Sequence, residues 1–433
     1  MKELWRNTVE KPQFETFKGY KKTDVLIIGG GMAGILCALE LHKAGVDYIL
    51  LEAKTIGSGI TKNTTAKITS QHGLIYSKIA KNHSVETAKA YLEANEKAVA
   101  KYKILSENID CDFEIKPSFV FSRTDREKIE NEAKVLEDIG YNAIFCEKTE
   151  LPFDVAGALS FENQAQFNPL KFLYTIAKGL NIYENTAVKD LLDTTVITDY
   201  GKITAKKIIV ATHFPFINKR GLYFMKMYQH RSYVLGLSNA HHLKGMYVDE
   251  DLKGLSFRNY GDLLLLGGGS HRTGKKGGNY IELREFAKYY YPEAEEKYHF
   301  ATQDCETLDG MPYIGKYSKH TENLYVATGF NKWGMTSSMV TAEILKDEIL
   351  GAKNDYAEIF DPSRSMMFKQ LGVNIFESVS GMLTLTTKRC PHLGCGLKWN
   401  KQEHTWDCSC HGSRFSADGN LIDNPAKKDL SNS

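Results

Sequence analysis

The chain has 433 residues, too many for a single compact core, so two or three domains are expected. Its 42% apolar and 25% charged residues are those of a globular protein. A net charge of +2 is too small to suggest a nucleic-acid partner or an anionic membrane surface.

In chain order, Met1 to Lys22 is polar and charged, with no apolar stretch of the kind a secretory signal needs. The longest apolar run, Val25 to Leu41, is broken by four glycines and reads as strand, turn and helix rather than a membrane span. A cytoplasmic protein is the expectation. Thr23 to Ile28 is a continuous β-branched run, a buried parallel strand, leading into Gly29-Gly30-Gly31-Met32-Ala33-Gly34. Helical periodicity follows to Gly45, and a second buried strand, Tyr48 to Leu51, ends in Glu52. Each position answers a physical need. Gly29 permits the tight turn, Gly31 lets the backbone approach a pyrophosphate, and Gly34 lets helix and strand pack closely. The N–H groups at the helix start, on Met32 and Ala33, and the helix dipole favour phosphate. Glu52 can accept hydrogen bonds from ribose hydroxyls. The site is therefore a dinucleotide cradle. A second glycine run, Gly267 to Gly269, follows a strand but leads to Ser270-His271-Arg272 instead of a helix, so no second nucleotide fold is expected.

The runs Glu52-Ala53-Lys54, Gly57 to Thr61 and Thr64-Thr65-Ala66-Lys67 resemble FAD-dependent oxidoreductases of the D-amino-acid oxidase and glycine oxidase type. So do Lys207 to His213, Leu308 to Gly315, and Leu324 to Phe330 followed by Gly334-Met335-Thr336. The resemblance implies a Rossmann-like α/β domain with an α+β substrate domain, and FAD held without a covalent bond. It places Ala53, Thr61, Thr65, Ala66, Val188, Ala211, Thr212, Gly329, Gly334, Met335 and Thr336 at the cofactor. It also brings Arg231, Tyr233, Arg258 and His271 over the flavin, with Lys67 and His72 in a loop near the ring. An arginine among them would clamp a substrate carboxylate; the ordinary alternative is an ion-pair residue.

Four of the eight cysteines, Cys390, Cys395, Cys408 and Cys410, crowd the C-terminal stretch with His392, His404 and His411. Each of two loops offers one thiolate and one imidazole, Cys390 with His392 and Cys408 with His411. Two thiolates on one iron and two imidazoles on the other is the Rieske arrangement; a zinc finger groups Cys with Cys and His with His. The loops resemble Rieske [2Fe–2S] proteins, a likeness continuing through Phe415, Asp418-Gly419 and Pro425-Ala426. That resemblance implies a disulfide between Cys395 and Cys410, with two free thiols as the alternative. It also gives Ser413 as a hydrogen-bond donor to the cluster, while Phe415 stands where high-potential members carry tyrosine. His404 lies off the motif, as a solvated loop residue.

The expected organisation is an oxidoreductase over residues 1–355, with FAD-binding parts near 23–105, 185–220 and 300–350. An amphipathic helix from Asp125 to Gly140 and strands from Met225 to Leu266 belong to the substrate domain. A linker at 356–380 and a small all-β cluster module at 381–433 follow, with strands at Gly381 to Thr387, Leu397 to Trp399 and Thr405-Trp406. So small a module must be stapled by its cluster or packed on the flavin domain. The expected activity is oxidation of an amine or amino acid, with electrons passed singly from flavin to cluster and on to a protein or quinone. Two alternatives are entry of electrons at the cluster from a protein donor, and a non-enzymatic redox sensor or electron store. No convincing 2-His-1-carboxylate iron site is present, which argues against a Rieske oxygenase.

Overall fold

The computed structural model describes residues 4–217, 220–251, 253–277, 279–365, 369–384, 386 and 388–430. The buried apolar runs form the middle of an eight-stranded sheet. Gly19–Ile28 lies between Tyr48–Leu51 and Gly201–Val210, parallel to both, and Leu324–Thr328 extends the sheet beyond Gly201–Val210. Parallel strands covered on both faces need continuous apolar side chains, and Val25 to Ile28 are all but inaccessible. Helix Met32–Lys43 leaves the glycine turn and packs in one core with helix Gly334–Leu350, which ends at Gly351 in the left-handed region (φ +73°).

A nine-stranded sheet forms the second layer, running from Glu295–Thr307 through Met227–Ser238, Leu263–Arg272, Ser256–Tyr260, Met246–Asp249, Glu114–Ser122 and Gly157–Gln166 to Lys67–Ile68. The amphipathic segment is helix Arg126–Asp138, capped by the Asp125 carboxylate on the Lys128 N–H at 3.1 Å. Gly267 to Gly269 lie inside strand Leu263–Arg272, where a Cβ on Gly268 would stand 2.9 Å from Leu283 Cδ2. Those glycines admit helix Tyr280–Tyr290 against the sheet and make no nucleotide turn.

The C-terminal module is a four-stranded antiparallel sheet of Leu397–Asn400, Thr405–Cys408, Arg414–Ser416 and Leu421–Asp423. Two expectations need correction. The stretch expected to link the domains holds helix Lys369–Leu383, and the strand expected from Gly381 begins instead as the end of that helix; Leu385 and Thr387 lie outside the described residues. The glycine that suggested a strand start is there for close approach: a Cβ on Gly381 would lie 2.2 Å from Cys410 Sγ. The preceding segment is pinned, with half-buried Arg364 gripping both Asp309 oxygens at 2.6 and 2.9 Å.

Candidate active site and cluster centre

A cavity of about 1280 Å³ opens at the glycine turn and extends to the C-terminal module. At one end a Cβ on Gly34 would stand 1.9 Å from Gly29 O, the close helix–strand contact the turn requires. Gly29 itself has φ +114°, and a Cβ there would strike Ala211 O at 2.5 Å. Gly31 is open: among the described residues only Thr61 Oγ1, at 3.6 Å, comes within reach of an added Cβ. That bare backbone, beside the dipole end of helix Met32–Lys43, fits a pyrophosphate. Glu52 accepts the Gly30 and Lys54 N–H groups at 2.7 and 2.8 Å, while burial pushes its carboxyl pKa upward.

Met32, Ala33, Ala53, Thr61 and Thr65 line the cavity, as do Val188, Ala211, Thr212, Gly334 and Met335. Four residues expected at the cofactor do not line it, and one of them, Gly34, serves the helix–strand contact instead. Ala66 is buried with φ +52° and its carbonyl accepts from Arg258. Gly329 is enclosed, since a Cβ would meet Thr307 Cγ2 at 2.3 Å. Thr336 donates to Thr69 O and sits 2.9 Å from His72 Nε2.

The substrate candidates separate sharply. Arg258 is fully buried off the cavity, with Nη1 donating to Thr65 O and Ala66 O at 2.6 and 3.0 Å. It ties loop to sheet. His271 also lies off the cavity wall, stacked on Tyr233 with centroids 5.8 Å apart. Arg231 does line the cavity, yet its guanidinium is taken: Nε donates to Glu403 Oε1 at 2.9 Å and Nη2 pairs with Oε2. Glu403 belongs to the C-terminal module and also accepts from Tyr233 at 3.2 Å and Arg414 at 2.8 Å. The neighbouring arginines, Arg231 foremost, overcome burial and hold its carboxyl near 2. The carboxylate clamp expected of Arg231 is thus filled from within the chain.

Lys67 remains. Its buried amine lines the cavity, donates to Ser256 Oγ at 2.6 Å, and is lowered to about 7, mainly by burial and then by Arg258. His72 is neutral, lowered to about 3 by burial, and stacks on Trp333 at 4.9 Å. Sequence reasoning missed Asp304, Glu306, Lys332 and Trp333, which also line the cavity. Asp304 is pushed up to about 7 by desolvation. The alternation of strand Glu295–Thr307 marks Thr302, Asp304 and Glu306 as one face, a signal legible only once the strand is placed.

In the module, the two loops fold back through Gly394 N–H to Cys390 O and Gly412 N–H to Cys408 O, both 2.9 Å. The His392 and His411 rings stand 5.0 Å apart. Cys390 and Cys408 share a hydrogen bond that holds the Cys390 thiol down to about 7 and pushes that of Cys408 upward. Burial keeps both imidazoles neutral, at about 4 for His392 and about 3 for His411. His411 Nδ1 is buried without a hydrogen-bond partner. Neutral imidazoles, an orphaned ring nitrogen and two sulfurs sharing one proton fit a metal cluster. Ser413 hydrogen-bonds Cys390, and Cys395 and Cys410 form a disulfide. The Sγ atoms of Cys395, Cys408 and Cys410 also crowd together, but a sulfur committed to a disulfide is not a thiolate ligand. His404 is exposed.

The module is seated on the substrate sheet. Gln229 Nε2 donates to His411 O at 2.7 Å and Gln303 Nε2 to Gly412 O at 2.8 Å. Cβ atoms on Gly412 or Gly274 would strike Gln229 Cβ at 2.7 Å or Ser409 N at 2.6 Å, so glycine allows the contact on both sides. The small module therefore rests on the flavin domain as its size demands.

A nucleotide cradle joined to a cluster module in one chain defines a flavoprotein with an iron–sulfur domain. The chain belongs to the FAD dependent oxidoreductase (DAO) family, whose model matches residues 24–348, and carries a Rieske [2Fe-2S] domain matched over 352–432. FAD and a [2Fe–2S] cluster are the corresponding cofactors. The chain is 33% identical to the putative Rieske 2Fe-2S iron-sulfur protein YhfW of Bacillus subtilis, over 98% of this chain and 96% of that protein. It is 30% identical to the gamma-glutamylputrescine oxidoreductase of Escherichia coli over 46% of this chain and 50% of that one. Glycine oxidase from Geobacillus kaustophilus shares the fold, with a TM-score of 0.66 at 20% identity over 79% of this chain and 99% of that one. Among the described residues no helix is long and apolar enough to cross a membrane.

Proposed function

We propose that the protein oxidises a small amine or amino acid on its flavin and passes the electrons through the cluster to an external acceptor, a protein or a quinone, on the cytoplasmic side. One observation carries this reading. The cavity that begins at the glycine turn is also lined by Asp423, Asn424 and Ala426 of the cluster module. A flavin at the glycine turn and a cluster in the module would thus face one cavity. When bound, FAD accepts hydride from a substrate carbon and a Rieske cluster carries one electron at a time.

The chain's own residues prepare the substrate. Lys67, largely neutral above pH 7, accepts a proton from the substrate ammonium at Nζ and leaves the nitrogen lone pair free to assist C–H cleavage. Glu403 occupies Arg231, so amines without a carboxylate are favoured over amino acids. FAD is held without a covalent bond, and burial pushes the Cys305 thiol up, away from a reactive thiolate. Gln229 and Gln303 fix the His411 loop against the cavity wall.

Anaerobic mixing with a panel of amines and amino acids tests the proposal, using wild type and His411→Gln. Flavin bleaching should persist in the variant while reduction of an external acceptor collapses. Unchanged acceptor reduction would make the cluster structural. Flavin that bleaches only when a reduced protein donor is added would reverse the direction of flow.

A further inference from the structure

Helix Lys369–Leu383 has its polarity turned inside out. Its inward side is polar or small: Asn374 accepts from Arg272 at 3.0 Å, Ser378 Oγ sits 3.4 Å from His411 Nε2, and Gly381 lies against Cys410. Its outward side carries Val373, Ile375, Phe376, Val379, Met382 and Leu383, between 44% and 75% exposed. Positions 375, 376, 379, 382 and 383 repeat at helical spacing and so form one stripe. An ordinary surface helix buries such a stripe, and contiguous apolar patches on a protein surface mark interaction sites.

What covers it follows from charge and size. Arg389, at the helix end, donates to Met382 O and Thr384 O at 2.8 and 3.0 Å and leaves its residue exposed. Lys398 and Lys401 are exposed on the same module, and Trp399, partly exposed, packs its ring 5.0 Å from Trp406. The module's acids are mostly spent. Glu403, Asp407 and Asp423 pair with Arg414, and Glu377 pairs with Lys275, which leaves Asp418 and Asp429 exposed. Arg389 at the end of an apolar helix, with further exposed lysines elsewhere on the module, suits anionic headgroups above acyl chains. A second copy is a poor fit: fifteen residues span about 22 Å, and a strip about 10 Å wide covers on the order of 220 Å², well below the roughly 800 Å² per partner of stable interfaces.

We propose that the outward face of Lys369–Leu383 docks this protein on an anionic lipid surface, the helix lying in the interface plane beside the cluster loops. The whole-chain charge of +2 resides in this module, where residues 381–433 hold seven Lys and Arg against five Asp and Glu and the rest of the chain is neutral. The proposal does not depend on the direction of electron flow.

The test is sedimentation of the holoprotein with vesicles of phosphatidylcholine alone or of equimolar phosphatidylglycerol and phosphatidylcholine. Binding is expected on the mixed vesicles and to be weaker on neutral ones. The double variant Phe376→Ser/Leu383→Ser should lose at least tenfold in partitioning, with flavin and cluster spectra unchanged. Three results would overturn the proposal: wild-type protein left in the supernatant with both lipids, a double variant that binds as wild type does, or a wild-type dimer that ignores vesicles and becomes monomeric in the double variant.

Discussion

Replacing Glu403 by Gln removes one charge from the centre of a buried network that joins the two domains. The carboxylate is 3% exposed and contacts Arg231, Arg414 and Tyr233. It is held near 2, against ~4.3 for a glutamate in an unfolded chain, which at ~1.36 kcal/mol per tenfold change corresponds to about 3 kcal/mol. Removing one member of a buried ion pair costs a similar ~3–5 kcal/mol, because the partner charges stay behind uncompensated. Denaturant unfolding of the holoprotein, followed at the cluster's visible circular dichroism, should show that loss at neutral pH. A depressed carboxyl pKa stabilises fully above the unfolded value. The gap between wild type and variant should therefore hold down to about pH 4.3, shrink below it, and vanish near 2. The variant should also bind carboxylate ligands more tightly, since Arg231 becomes available at the cavity wall. A neutral-pH loss under about 0.5 kcal/mol, the size of an ordinary surface change, would refute the network as described.

Gly34→Ala puts a Cβ 1.9 Å from Gly29 O, so helix and strand must separate; purified protein should carry almost no flavin, and full occupancy would contradict the cradle. Lys67→Gln should slow anaerobic flavin reduction by ~10²- to 10⁴-fold. It should also erase an acidic limb in kcat/KM centred near pH 7, and a limb that survives would assign the proton to another group. Cys395→Ala/Cys410→Ala opens a bridge across 15 residues and should cost about 3 kcal/mol in module stability, read as cluster loss at lower denaturant. Equal resistance in both proteins would show that the bridge contributes little.

The cradle and the cluster loops were legible in the amino-acid order because their chemistry acts over a few consecutive residues. Only glycine tolerates the approach of Gly34 to Gly29, and a cluster loop needs its thiolate and imidazole two or three positions apart. The strands Tyr48–Leu51 and Leu397–Asn400 followed from local pattern in the same way. Tertiary structure alone decided the fate of the arginines. Arg231 meets Glu403 across 172 residues, and Arg258 meets Thr65 across 193, distances over which no spacing rule operates. It also decided that residues 369–383 form a helix, since their inward partners, Arg272, His411 and Cys410, come from other parts of the chain. Burial and pairing depend on what the fold brings alongside a side chain, and a sequence lists only what precedes and follows it.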